Sequence, residues 1–296
     1  MSDSSSHDVF VGMGGWDLPP FDNVFYPRNP ERGFRKLAYY AQYFDAVEVN
    51  VTFYNVALAP AQVRRWLQDV NPNRRFQFTV KLYRGFTHTF DATARDMTAF
   101  RRLLEPLRAA GRLSGIVMQF PGSFAQTKER QEYLTKLAEA FGEDPVFLEL
   151  RHRSWDGKEV QERIQEKGLC LVNVDLPRLP QHREFQKHVL RGMAYFRMMG
   201  RNAETWNNPE RGDRYLYHYS ETELNDLLER IRSASAQKTF VVFHNDPQAH
   251  SPVNGFQLRH LLKPMEKLMI PANLIEAFPQ LSAIGEPPKT EGTLFG

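Results

Sequence analysis

A single (β/α)8 barrel, the TIM-barrel architecture, with an atypical region between its sixth and seventh strands, is the fold the sequence predicts. Three observations carry that expectation. Eight short apolar runs alternate with helical patterns along the chain. Such alternation implies parallel strands joined by right-handed crossovers. Polar residues inside the runs gather toward their C-terminal ends, where a barrel places its chemistry. The 296 residues suit one such unit, since α/β barrels reach that length as single domains.

Taken in order, the strands are read at VFVGMGG (9 to 15), AVEVNV (46 to 51), FQFTVKL (76 to 82), GIVMQF (115 to 120), VFLELRH (146 to 152), LVNVD (171 to 175), AYFRMMG (194 to 200) and TFVVFHN (239 to 245). Helical spacing falls near 31 to 44, 60 to 69, 96 to 110, 128 to 141, 156 to 167, 220 to 233 and 254 to 269. Pro60 suits a first helical position, Asp96 and Ser220 suit N-caps, and Gly111 and Gly168 suit helix ends. Between strands six and seven, DLPRLPQHREFQKH shows no helical period and reads as an excursion over the barrel mouth. A doubly wound open sheet is disfavoured, because GMGG at 12 to 15 is not the glycine-rich G-x-G-x-x-G turn such sheets use. The barrel domain is expected over 9 to 278, with residues 1 to 8 and the Pro- and Gly-rich 279 to 296 as flexible tails.

Composition excludes several classes. The 38 basic and 35 acidic residues leave a net charge of only +3, too little to imply nucleic acid or anionic membrane as a partner. The start lacks a signal-peptide pattern, and no apolar run approaches the roughly 18 residues of a membrane span. The single Cys170 allows no internal disulfide. A cytoplasmic protein is therefore expected, with Cys170 packed in its strand rather than serving as a nucleophile.

Strand parity selects the candidate site. In VEVNV, Val47, Val49 and Val51 share one face, and Glu48 and Asn50 share the other. The uniformly apolar face must meet the helices, so the mixed face points into the lumen. On that rule Glu48, Asn50, Lys81, Gln119, Glu149, Arg151, Asp175, Arg197 and Asn245 gather at the barrel mouth, whereas Val172 and Val174 face the helices. The catalytic candidates are Glu48, Lys81, Glu149 and Asp175. The binding candidates add Trp16, Tyr54, His88, His152, Trp155 and Arg201. The same acids and bases, three against three, would also satisfy one another as a buried structural network.

The residues resemble the YecE-like family, a domain of unknown function (DUF72). VGMGGW (11 to 16), YYAQYFDAVEVNVTFY (39 to 54), FQFTVK (76 to 81), GIVMQFPGSF (115 to 124), FLELRHRSW (147 to 155) and FRMMGR (196 to 201) carry the resemblance, with FYP (25 to 27), THTF (87 to 90) and VDLP (174 to 177). It runs from about residue 9 to 265 and implies a TIM-barrel fold. The family has no established activity, so the resemblance implies no reaction. Met199 stands where the family tends to have histidine, and FHNDPQ stands where it tends to have paired asparagines.

Several chemistries are compatible with these residues. Glu48 and Glu149 would serve as the acid and the nucleophile or base of a glycosidase. Lys81 would form a Schiff base if desolvated beside cations, with charge pairing to Glu48 as the competing role. Zinc is disfavoured because only His88, His152 and His244 of the nine histidines lie near strand ends, with His244 on the helix-facing parity. A single magnesium or manganese ion on Glu48, Glu149 and Asp175 remains open. Arg201, Arg211 and Arg214 would clamp an anion. The aromatic residues Trp16, Phe25, Tyr26, Phe53, Tyr54, Trp155 and Trp206 would stack on sugars or bases. The reading is a hydrolase or lyase acting on a sugar-containing, phosphorylated small molecule or nucleic-acid fragment. The alternative is a noncatalytic nucleic-acid-binding barrel.

Overall fold

The computed structural model describes residues 7 to 289. Its strands are β1 (Asp8–Met13), β2 (Ala46–Val49), β3 (Gln77–Lys81), β4 (Leu113–Gln119), β5 (Val146–Glu149), β6 (Leu169–Leu171), β7 (Asn173–Asp175), β8 (Met193–Met198) and β9 (Lys238–Phe243). All pairs are parallel, in the order β6-β5-β4-β3-β2-β1-β9-β8-β7. β6 and β7 are one strand interrupted at Val172, whose N–H still donates to the Leu148 carbonyl at 2.9 Å. That strand joins β5 to β8 and closes an eight-position barrel.

The larger helices are α1 (Lys36–Tyr40), α2 (Val51–Tyr54), α3 (Pro60–Val70), α4 (Arg84–Thr87), α5 (Ala94–Ala109), α6 (Lys128–Phe141), α7 (Lys158–Glu166), α8 (Ala203–Trp206), α9 (Glu221–Ala234), α10 (His250–Leu262) and α11 (Ala272–Ala277). Local chemistry sets their ends. Pro60 opens α3, and Ser220 caps α9 in a reciprocal box with Glu223. The cap of α5 is Thr93 rather than Asp96; Asp96 is its partner three residues on. Gly111 and Gly168 adopt φ of +64° and +80°, a left-handed conformation that glycine accepts without strain.

Two buried clusters divide the interior. The outer one packs Val47, Val49, Phe78, Val80, Met118 and Leu148 against the helices. The inner one fills the lumen with Phe10, Val117, Phe147, Cys170, Val172, Val174, Tyr195, Phe240 and Val242. Burial pushes the Cys170 thiol up to about 12, so it packs as a small apolar group.

Strand six corrects the parity expectation. Cys170, Val172 and Val174 face the lumen, so Asn173 and Asp175 face outward. Both faces of this strand are buried, and apolar residues therefore cannot tell inside from outside. The excursion after β7 replaces a covering helix and presents polar partners to the outer face. Asn173 Nδ2 donates to the His188 carbonyl at 3.0 Å, and the His188 N–H donates back to Asn173 Oδ1.

The chain ends also differ from expectation. Asp8 begins β1. Beyond Phe278, a 3-10 turn at Pro279–Ala283 buries Leu281 completely, and β11 (Gly285–Glu286) pairs with β10 (Leu268–Met269). Apolar side chains at Leu281 and Ile284 supply that packing despite the Pro- and Gly-rich composition. The remaining tail positions, 1 to 6 and 290 to 296, lie outside the described residues. Among the described residues, no helix is long and apolar enough to cross a membrane.

Candidate functional site

The floor of the lumen is aromatic. Phe10 and Phe240 stack at 5.1 Å between centroids, and Phe147 meets Tyr195 at 4.6 Å. One layer toward the C-terminal strand ends, β2, β5 and β8 each contribute a charge at inward parity. Arg197 Nη2 donates to Glu48 Oε1 at 2.9 Å, and Nη1 bonds Glu149 Oε2. Arg151 Nε takes the other Glu149 oxygen at 2.5 Å. Tyr195 donates its hydroxyl to Glu48 Oε2 at 3.0 Å and meets Thr79 Oγ1 at 2.8 Å. Glu48, Glu149 and Arg197 are all but fully buried, which is tolerable only because each polar atom is paired.

His244 completes this layer. Phe240 and Val242 face inward, so His244 does as well. Arg197 Nε donates to its Nε2 at 3.2 Å, which places the ring proton on Nδ1. Desolvation, reinforced by Arg197, lowers its pKa to about 4 and keeps the imidazole neutral. Gly14 makes room for the ring: a Cβ there would sit 2.2 Å from it.

The carboxylates respond to their partners. Burial alone would raise Glu48, but Arg197, His244 and Lys81 outweigh it and hold the group well below the usual carboxylate range. Glu149 behaves likewise, lowered to about 2 by Arg151 and Arg197 against its desolvation. Neither can be a protonated general acid near neutrality, and one guanidinium joins them. The glycosidase reading therefore fails on its acid.

Lys81 differs from every other charge in the lumen. Among the described residues it makes no salt bridge; Arg197 has taken the expected partner, Glu48. Its Nζ lies 4.3 Å from the Phe53 ring centroid. Desolvation first, and then Arg197, lower its pKa to about 8. His88 meets the same ring edge-on at 4.8 Å, its Nδ1 bonded to Thr87 Oγ1 at 2.9 Å. Desolvation and Lys81 lower His88 to about 4.

The other sequence candidates separate from this group. Asp175 bonds Arg201 and Tyr219 outside the lumen, and Arg201 also takes Glu223 at 2.8 Å. Asn245 faces outward to the Tyr217 carbonyl and Asn254; with apolar residues on both faces of β9, parity had no polar reference. Trp155 is fully buried and donates to the Phe124 carbonyl. Trp16 packs edge-on against Trp66 of α3. His152 caps the turn Arg153–Trp155 through Ser154. Asn50 donates to the Gly14 carbonyl, and Gln119 to that of Phe120. Tyr54, 72% exposed at the rim, packs its ring edge-on against Phe53 at 5.0 Å. Phe25, Tyr26, Trp155 and Trp206 are buried, which removes most of the platform that a nucleic-acid-binding barrel would use.

Among the described residues, no group of three or more His, Cys, Asp or Glu is placed to hold a metal ion. The magnesium or manganese arrangement also loses its third ligand with Asp175. Tyr195 and Thr79 escaped the sequence-based candidates, although Tyr195 shares the inward parity of Arg197.

The family model described as "Protein of unknown function DUF72" matches residues 10–277. The chain belongs to the DUF72 family. A DUF72 family protein from Thermotoga maritima MSB8 is 33% identical, with 87% of this chain and 100% of that one covered at a TM-score of 0.76. Another, from Enterococcus faecalis V583, is 28% identical over 86% of this chain and 95% of its own, at 0.75. No curated protein matches the sequence. The DUF72 barrel thus carries, in this chain, one buried network of Glu48, Glu149, Arg151, Arg197 and His244, with an unpaired lysine above it.

Proposed function

We propose that the lumen is the active site of a lyase-type enzyme in which Lys81 attacks the carbonyl of a small anionic, sugar-sized substrate. The observation that carries this reading is Lys81 itself: half-buried, resting on Phe53, without a salt-bridged carboxylate among the described residues, and lowered to about 8. A lysine desolvated beside other cations has a useful neutral fraction near physiological pH and is a nucleophile. Its neutral amine adds to the carbonyl carbon, and the carbinolamine takes up one proton from solvent and loses water to give a protonated imine. That imine draws electrons from the adjacent C–H or C–C bond, and neutral His88, beside the same ring, accepts the proton released. Glu48 and Glu149 do not react in this scheme. They fix Arg197, whose charge depresses Lys81.

Charge selects the substrate class. With Asp175 outside the lumen, Arg151, Arg197 and Lys81 face only Glu48 and Glu149, an excess of one positive charge (three minus two) when Lys81 is protonated. A phosphorylated or carboxylated carbonyl compound offsets that excess, with Arg151 as its donor at the mouth.

Borohydride trapping tests the reaction. Dihydroxyacetone phosphate, ribose 5-phosphate and pyruvate are each incubated with the protein and reduced, and peptides are mapped by mass. The expected result is a reduced adduct on Lys81 with at least one of them, absent in Lys81→Met, whose yield rises with pH through about 8. No adduct across the set, or one that persists in Lys81→Met, overturns the reading.

A further inference from the structure

The excursion between β7 and β8 builds a second cavity. Its residues hydrogen-bond alongside the β5 exit: the Arg183 N–H donates to the Arg151 carbonyl at 3.1 Å, and the Arg153 N–H to that of Gln181 at 3.0 Å. Outside the lumen this leaves a cleft of about 910 Å3, bounded by the excursion, the Arg153–Trp155 turn and Arg230 of α9. Small-molecule sites span roughly 300 to 1,000 Å3. Arg153, Arg178, Arg183, Arg201 and Arg230 line it against three carboxylates, an excess of two positive charges (five minus three).

Some of those arginines are already committed. Arg201 holds Asp175 and Glu223. Arg230 lies 4.8 Å from the Phe185 ring centroid and donates to its carbonyl. Arg183 is the informative one. Its side chain is only 2% exposed; Nε donates to Asp156 Oδ1 at 2.6 Å and Nη1 reaches the Leu150 carbonyl. Its buried Nη2 has no partner. A buried donor on a charged group left unpaired is costly, and native interiors rarely leave one without an acceptor. Arg178 stands exposed at the same cleft and makes no salt bridge among the described residues.

We infer that this cleft binds a phosphate dianion, free or carried on a small organic body, with Arg183 Nη2 and Arg178 as its donors, at a site distinct from the lumen. Tetrahedral phosphate oxygens suit the single free Nη2 of Arg183 together with the guanidinium fork of Arg178. The wall between the two sites is aromatic. His182, which lines the cleft, meets Trp206 edge-on at 5.7 Å, and Arg151 of the lumen lies 5.9 Å from that indole.

Calorimetric titration of the full chain with inorganic phosphate and with glycerol 3-phosphate tests the site. The second probe has no carbonyl and cannot react with Lys81. Binding of at least one is expected, weakened roughly tenfold in Arg178→Ala by the loss of one charge-assisted contact, and retained in Lys81→Met, which weakens only binding in the lumen. Arg183→Gln should weaken it further. Should that buried variant fail to fold, the exposed Arg178→Ala decides alone. Tighter glycerol 3-phosphate identifies an organic phosphate as the ligand, and equal affinities identify the free anion. Absence of binding by both probes, or binding that Arg178→Ala leaves intact, overturns the inference.

Discussion

Glu48 and Glu149 show how one residue type acquires a role from its partners. Each is an isolated acid in a strand when read along the chain, and each becomes one arm of a bridge through Arg197 when the strands close. Replacing Glu48 or Glu149 with Gln keeps the shape but leaves Arg197 short of a counter-charge in a buried layer. Breaking a buried pair from one side costs about 3 to 5 kcal/mol. Both variants should therefore melt many degrees below the parent in calorimetry. A melting temperature unchanged or raised would instead mark the two carboxylates as charges kept at a stability cost for catalysis.

At the scale of elements, the C-terminal segment reverses a compositional expectation. Residues 279 to 296 lack a helical period and carry Pro and Gly, which reads as a dispensable tail. Leu281 is nonetheless fully buried, and Gly285–Glu286 adds a strand to Leu268–Met269. Burying one leucine is worth about 1.5 to 3 kcal/mol. A chain ending after Phe278 should lose at least that much, or roughly 3 to 12 °C at the 2 to 4 °C per kcal/mol typical of larger domains. A melting temperature within a degree of the full chain would show that the segment adds nothing.

At the scale of the whole molecule, pH dependence follows from the lumen. His244 and His88 have folded pKa values of about 4 against an ordinary 6.5. Their contribution is present above 6.5 and is lost as the pH falls toward 4. Glu48 and Glu149 are lowered from 4.5, Glu149 to about 2, so their contribution is present above 4.5 and is lost toward pH 2. All four bind more protons unfolded than folded, and stability should fall with acid in two overlapping stages. Melting temperatures across pH 3 to 8 would check this; a flat curve down to pH 3 contradicts it.

The sequence by itself determined the barrel, because alternation of apolar runs with helical periods leaves little choice of layer architecture. It also placed Glu48, Lys81, Glu149, Arg151 and Arg197 in one lumen, since each sits at a mixed face of a strand whose other face is uniformly apolar. Only the tertiary structure decided the interrupted strand of β6 and β7 and the last strand, β9. There both faces are buried, so Asp175 and Asn245 could not be told from inward residues, nor His244 from an outward one. Pairing was equally illegible: that Arg197, and not Lys81, takes Glu48 depends on distances between strands 149 residues apart along the chain. Side-chain parity is a property of one strand and can be read locally, whereas the partner of a charge is set by closure of the barrel.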